Sequence, residues 1–207
     1  MKISYAITVK DELSELQRLV DVLLKFKRTV DEIVILFDEA NGSKKVEEYL
    51  RSHSVNGEYS WFGKQFENDF ASWKNQLTEL CSGDYIFQID ADEYPHQYLI
   101  ESLPELIETN PDVELFYVPR INTVNGITED HIKQWRWNLN ENGWVNFPDY
   151  QTRIYKKSKN IYWKNKVHEQ ITGIGIYSAL PDMESFCLYH PKTIERQERQ
   201  NNYYNTL

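Results

Sequence analysis

Gly83-Asp84-Tyr85-Ile86-Phe87-Gln88-Ile89-Asp90-Ala91-Asp92-Glu93 is the stretch on which the fold turns. Residues 85–89 are apolar or aromatic at all but one place, as in a strand buried on both faces, and the carboxylates Asp90, Asp92 and Glu93 follow at once. Just upstream, Phe70, Trp73, Leu77 and Leu80 recur at helical spacing behind Asp69, an N-cap residue, and Gly83 stands where a C-terminal cap belongs. Further out the alternation repeats. Residues 3–9 read as a buried strand ending in Lys10-Asp11-Glu12, and Leu16, Leu19, Val20, Leu23 and Leu24 mark a helix after it. Residues 33–37 are wholly apolar and end at Asp38, with the turn residues Asn41 and Gly42 beyond. Val46, Tyr49 and Leu50 mark the next helix, residues 58–62 a weaker strand, and Leu99, Ile100, Leu103, Leu106 and Ile107 a helix after Pro95. Strands alternating with helices of this length predict an α/β fold: a mostly parallel sheet with helices on both faces.

Near residue 119 the pattern changes. Residues 120–150 are rich in Asn and Trp without a clean period, so a smaller irregular and β region is expected there. Residues 152–155 and 161–163 read as hairpin strands around Ser158-Lys159-Asn160, residues 186–189 as a short strand, and 193–204 as a polar helix. That ending carries no stop signal, as in one module of a longer polypeptide.

A chain of 207 residues supports one full core. Its net charge of −9 excludes binding a phosphate backbone by charge alone, and so a nucleic-acid partner. A nucleotide that arrives with a divalent cation is still admitted, because the ion supplies the positive charge. No run of 18 apolar residues occurs, so no transmembrane segment is expected, and neither a signal peptide nor a lipidation signal is visible. Cys81 and Cys187 lack metal-ligand spacing. A reduced, cytoplasmic protein is the simpler expectation, with a single disulfide the alternative.

Ligands of open parallel sheets bind beyond the carboxyl ends of the strands. Three polar clusters fall there: residues 8–12, Asp38, and residues 90–93. A bare D-x-D is weak, since a chain this rich in Asp yields on the order of one by chance. At a strand end it gains weight. One carboxylate can bind a cation while the other meets a ribose or a bound water, although both could simply solubilise the strand end and cap the next helix.

In order along the chain, the telling stretches are Ala6-Ile7-Thr8-Val9-Lys10-Asp11-Glu12, Asp31-Glu32-Ile33-Val34-Ile35-Leu36-Phe37-Asp38 and Asp69-Phe70-Ala71-Ser72-Trp73-Lys74-Asn75. After the opening stretch come Pro148-Asp149-Tyr150-Gln151-Thr152-Arg153-Ile154-Tyr155 and Val167-His168-Glu169. Together they resemble the inverting family 2 glycosyltransferases with the GT-A fold. The resemblance points to the branch of bacterial lipopolysaccharide-core transferases and peptide S-glycosyltransferases. It covers roughly residues 1–190. Two departures stand out: Asp11 where the family usually has Asn, and no Ser-x-Asp element after Asp38.

The resemblance implies one domain, with residues 1–118 binding a nucleotide sugar and 119–207 carrying the acceptor site and the general base. It implies a nucleoside-diphosphate sugar donor, UDP-linked by expectation, and a glycan, lipid-linked or protein acceptor. Thr8, Val9, Glu12 and Asp38, with Lys74, Asp90 and Ala91, form the implied nucleotide set. Lys74 taken alone also reads as an exposed helix lysine. Asp92 is the implied direct ligand of Mn²⁺ or Mg²⁺, with Asp90 on the ribose or the metal's water shell. His190 is either a third ligand or a strand-end residue before Pro191. Glu169 and Asp149 compete as the base of an inverting single displacement. Glu169 is favoured because in the family the base precedes the late histidine by about twenty residues. His168 is expected to face away from Glu169, as neighbours in an extended segment do. Arg153 reads either as a diphosphate contact or as a partner of a carboxylate. Trp135, Trp137 and Trp144 read as an acceptor-side sugar platform or as a small satellite core. The rival readings are a sugar-nucleotidyltransferase, which lacks its Gly-rich loop here, and a non-catalytic nucleotide- or glycan-binding module.

Overall fold

The computed structural model describes residues 1–204; residues 205–207, the end of the expected acceptor-side region, lie outside them. β1 (Ile3–Val9), β2 (Glu32–Asp38), β3 (Ser60–Lys64) and β4 (Tyr85–Asp90) run parallel in the order β3-β2-β1-β4. Alternate side chains divide between two layers, as strand geometry requires. Ile3, Tyr5 and Ile7, with Ile33, Ile35 and Phe37, pack under α1 (Leu13–Phe26), α2 (Lys44–His53) and α4 (Gln97–Thr109). Ala6, Val34, Leu36 and Ile86 face the other way, onto Ala71, Trp73 and Leu77 of α3 (Phe70–Leu80). Asp69 caps α3 as its place predicts, accepting the Ser72 N–H at 2.9 Å.

The sheet continues through the second half of the chain. β7 (Val145–Lys156) lies antiparallel to β4, β6 (Leu115–Asn125) antiparallel to β7, and β11 (Leu188–Thr193) parallel to β6. β5 (Tyr94–Pro95) and β10 (Tyr177–Ala179) complete nine strands, while β8 (Tyr162–Lys164) and β9 (Gln170–Thr172) make a separate pair. α5 (Glu129–Trp135) follows β6, and α6 (Ile194–Tyr204) follows β11. This is the expected α/β class, a large mostly parallel sheet flanked by helices. Among the described residues no helix is long and apolar enough to cross a membrane.

Several local expectations change. The weak strand spans residues 60–64 rather than 58–62. Gly83 is not the helix cap: α3 ends at Cys81 in extended backbone. Gly83 instead lets the chain press against β1, where a Cβ would sit 2.6 Å from Ser4 Oγ and 2.7 Å from Ser4 N. The supposed hairpin of 152–163 does not form. Its first arm is the end of β7 inside the main sheet, and its second pairs with β9. Residues 120–150, read as irregular, contain the second half of β6, α5 and the start of β7. The strand expected at 186–189 begins at Leu188, after a single 3-10 turn. Cys81 and Cys187 are both free and buried, and burial pushes each thiol up to about 12.

Candidate functional site

Parallel pairing brings the carboxyl ends of β1, β2 and β4 abreast. Thr8 stands beside Leu36 and Asp90, and Val9 beside Phe37, one residue short of Asp38. The Ala91 N–H donates to the Thr8 carbonyl at 3.2 Å and stitches the acidic turn to β1. Over these ends opens a cavity of about 550 Å³, ample for a nucleotide-sized ligand. Thr8, Val9, Glu12, Asp38, Lys74, Asp90, Ala91, Asp92, Glu169 and His190 all line it; Asp149 and the three tryptophans of 135–144 do not.

Backbone groups nearby hold the first wall. Glu12 Oε2 accepts the N–H groups of Lys10 at 3.0 Å and Asp11 at 3.1 Å, while burial pushes its carboxyl upward. Asp38 Oδ1 accepts the N–H groups of Asn41 at 3.3 Å and Phe66 at 3.2 Å, and Oδ2 accepts Asn41 Nδ2 at 3.0 Å. Phe66 also lines the cavity with Phe70 and Trp73, the rings 4.9 and 5.6 Å from its own.

The opposite wall is built from ion pairs between distant residues. Arg153, buried at 4% exposure, donates through Nη2 to Asp90 Oδ2 at 2.5 Å and Glu93 Oε1 at 2.7 Å. Arg120 joins Glu93 Oε1 at 2.7 Å to Asp149 Oδ2 at 2.7 Å. Burial raises the Asp90 carboxyl, but the Arg153 and Lys74 charges outweigh it and the net shift is downward. Asp149 is held by four donors: Arg120 Nε and Nη2, Asn122 Nδ2 at 2.8 Å and Gln151 Nε2 at 2.7 Å. Against its burial, they hold this carboxyl low as well.

Asp92 takes a different set of partners. Its Oδ2 lies 3.2 Å from His190 Nε2 and 3.1 Å from Arg196 Nη2; Arg196 also reaches Glu15 at 3.1 Å and Glu12 at 3.5 Å. Burial opposes ionisation of Asp92, yet His190, Arg196 and Lys192 together hold its carboxyl far below the usual range. Two neighbouring ligand atoms around a six-coordinate ion the size of Mg²⁺ stand about 3.0 Å apart. Asp92 and His190, hydrogen-bonded to each other here, carry the donor types that would hold a divalent cation whose other ligands come from substrate and water. Asp90, tied to Arg153, is not part of that pair. Among the described residues no group of three or more His, Cys, Asp or Glu is gathered for a metal.

Lys74 is not the exposed helix lysine of the alternative reading. It is 8% exposed, its Nζ lies 4.4 Å above the Trp163 ring, and it is ion-paired with Glu169 across the cavity. Lys74 is the single hydrogen-bond partner of Glu169 among the described residues. His168 does not turn away: its φ of 55° leaves the extended geometry, and it lines the cavity beside Glu169. Trp135 stacks on His131 at 5.0 Å and packs on Trp137 at 4.8 Å, while Trp144 packs on Phe147 at 4.8 Å. These are small aromatic clusters outside the cavity.

Arg120, Asn122, Lys192 and Arg196 escaped the sequence reading. β6 contains Pro119, and a residue without an N–H argues against a continuing ladder. β6 passes it with a register shift between Arg120 and Asn122. The alternation Arg120-Ile121-Asn122 was the available signal. For Arg196, on a polar helix, there was none.

The family model described as "Glycosyl transferase family 2" matches residues 4–185. No curated relative matches in sequence. Among solved structures, S. aureus TarS superposes with a TM-score of 0.60 at 15% identity, over 92% of this chain and 37% of that one. TarS 1–349 in complex with UDP gives 0.58 at 14% over 92% and 60%, and its complex with UDP-GlcNAc 0.59 at 14% over 93% and 59%. The chain thus spans between about a third and three-fifths of those proteins, and at such identity the likeness is one of fold, GT-A or Rossmann-like. With a family match across most of its length and the sheet and helices of that fold, the chain belongs to glycosyl transferase family 2.

Proposed function

We propose that the chain moves a sugar from a nucleoside-diphosphate sugar, UDP-linked, to a glycan, lipid-linked or protein acceptor, with inversion in a single displacement. The observation that carries this reading is the cavity itself. It sets Asp38 and the Asp92–His190 pair on the side of the strand ends, and one lightly held carboxylate, Glu169, among the groups facing them. In this reading Thr8, Val9, Glu12, Asp38 and Ala91 hold base and ribose, with Asp38 accepting the uracil N–H. Asp92 and His190 hold Mn²⁺ or Mg²⁺, and Asp90 takes the ribose side. A cation bound there would neutralise charge on the departing diphosphate. The division into a donor-side half, 1–118, and an acceptor-side half belongs to the same proposal.

Inversion needs one base on the acceptor side and no covalent enzyme intermediate. Asp149 suits that task poorly. Four hydrogen bonds occupy it and its carboxyl is held low. Glu169 lines the cavity and gives up only Lys74 when it accepts a proton. Lys74, once released, is near enough to the cavity to meet the diphosphate. Incubation with a panel of nucleotide sugars and Mn²⁺ tests the activity: slow release of nucleoside diphosphate is expected, and release of pyrophosphate or monophosphate would contradict it. Glu169→Gln is expected to keep nucleotide affinity and lose roughly 10²- to 10⁴-fold in transfer. Near-normal turnover in that variant would remove Glu169 from the role.

A further inference from the structure

Of the lysine and arginine side chains that line the cavity at least partly out of solvent, all but one are engaged by carboxylates. Arg153 is divided between Asp90 and Glu93, Arg120 between Glu93 and Asp149, and Lys74 is paired with Glu169. Lys192 is the exception. It lines the cavity half-buried and makes no ion pair among the described residues. Its Nζ donates to one neutral acceptor, Gln200 Oε1 on α6, at 2.5 Å. An ammonium has three donors and no acceptor, so two of its N–H groups have no partner among the described residues. A half-buried charge left with one neutral acceptor is costly unless a ligand completes its bonding.

Strand geometry sets where that ligand group would stand. His190 and Lys192 are two apart on β11 and share a face, with roughly 7 Å between them along the strand. Across the sheet, Asp38 ends β2, Thr8 lies near the end of β1 and Asp90 ends β4, while β11 comes beyond β7 and β6. An elongated ligand with its base at Asp38 and its cation at Asp92 and His190 would therefore meet Lys192 last.

We propose that Lys192 contacts the distal phosphate of the donor, so that the cavity selects a nucleoside diphosphate over a monophosphate. The inference rests on the nucleotide reading of the proposed function. Phosphate oxygens supply acceptors for the two open N–H groups, and the Gln200 carbonyl aims the amine. Lys74 has a different part, because it comes free only after Glu169 has taken a proton. Lys192 is open before the donor arrives.

Calorimetric titration of UDP and of UMP into the full chain, at fixed Mn²⁺, tests this assignment. Wild type is expected to bind UDP more tightly than UMP. Lys192→Gln removes a charge-assisted bond and should lower UDP affinity about 10- to 100-fold. Its UMP affinity, and its Mn²⁺ affinity without nucleotide, should stay near wild type. Lys192→Arg keeps charge and donors and should retain most of the preference for UDP. Gln200→Leu, which removes the aiming carbonyl, should give a smaller loss confined to UDP. Lys159→Gln makes the same change in net charge at an exposed residue past the far end of β7 and should leave both affinities as they are.

Unchanged UDP affinity in Lys192→Gln overturns the assignment. So does an equal loss of UDP and UMP, or of Mn²⁺ alone, which would make the residue a structural one. Wild type that binds UMP as tightly as UDP overturns it as well, and leaves the nucleotide reading of the cavity standing. If wild type binds neither, that reading falls and the assignment falls with it.

Discussion

The two walls of the cavity are made in different ways. On the wall formed by β1 and β2, backbone groups of the same or an adjoining loop supply most of the bonds: Glu12 accepts from Lys10 and Asp11, with Arg196 at 3.5 Å, and Asp38 from Asn41 and Phe66. On the wall formed by β6, β7, β11 and α6, charged side chains are fixed by one another across long stretches of chain. Arg153 meets Asp90, Arg196 meets Asp92, and Glu169 meets Lys74. A carboxylate held by backbone N–H groups is set in place before any ligand arrives. One held by a mobile side chain can trade that partner for a ligand. Under the proposed function, recognition of an unchanging group, the base and ribose, would fall to the first wall, and the second would take the charge that appears and leaves during transfer.

If that contrast holds, removing an ion-pair partner should do more damage than removing a local bond. The largest effect is expected for Arg153→Met, which takes the ion-pair partner from Asp90 and leaves Glu93, buried at 1% exposure, with Arg120 alone. Breaking a buried pair from one side costs about 3–5 kcal/mol, read as a lower urea midpoint at unchanged slope. A loss under ~1 kcal/mol would show that the network contributes little to stability. On the local side, Asp69→Ala removes one bond, the cap on Ser72 N–H. About 1 kcal/mol is expected from such a change, and an equal loss in the two variants would erase the distinction.

The smallest effect tests local charge at the far end of β2. Glu32 accepts from Lys2, Ser4 and Ser82, and these bonds outweigh burial and bring its carboxyl down to about 2. A folded-state value below the ordinary ~4.3 means that Glu32 stabilises the fold fully above that pH. The contribution fades as pH falls toward 2. Glu32→Gln should therefore lower stability at pH 7 and flatten the acid limb between about 4.5 and 2. An acid limb of unchanged slope would contradict the assignment.

The same contrast explains what the sequence made legible. Strands and helices through residue 109 follow from periodicity, and the strand-end clusters from composition, because each is a local pattern. Asp38, Asp90 and Asp92 could be placed at one edge for that reason alone. β6 was hidden by Pro119, and β8 was given the wrong partner because pairing with β9 carries no periodic signal. The ion pairs were invisible for a plainer reason. Their members are 27 to 184 residues apart, and no spacing rule connects Arg120 to Glu93 or Arg196 to Glu12. Asp149 shows the consequence: its sequence setting suits a base, and only its partners reveal a braced carboxylate.

The central claim is that Asp92 and His190 bring a divalent cation to a nucleotide held by Thr8, Glu12 and Asp38. Calorimetric titration of UDP into wild type and Asp92→Ala, each with Mn²⁺ and with EDTA, tests it most directly. The account predicts binding that requires Mn²⁺ in wild type and is lost in Asp92→Ala under both conditions. Equal UDP affinity with Mn²⁺ and with EDTA, unchanged in Asp92→Ala, would contradict it.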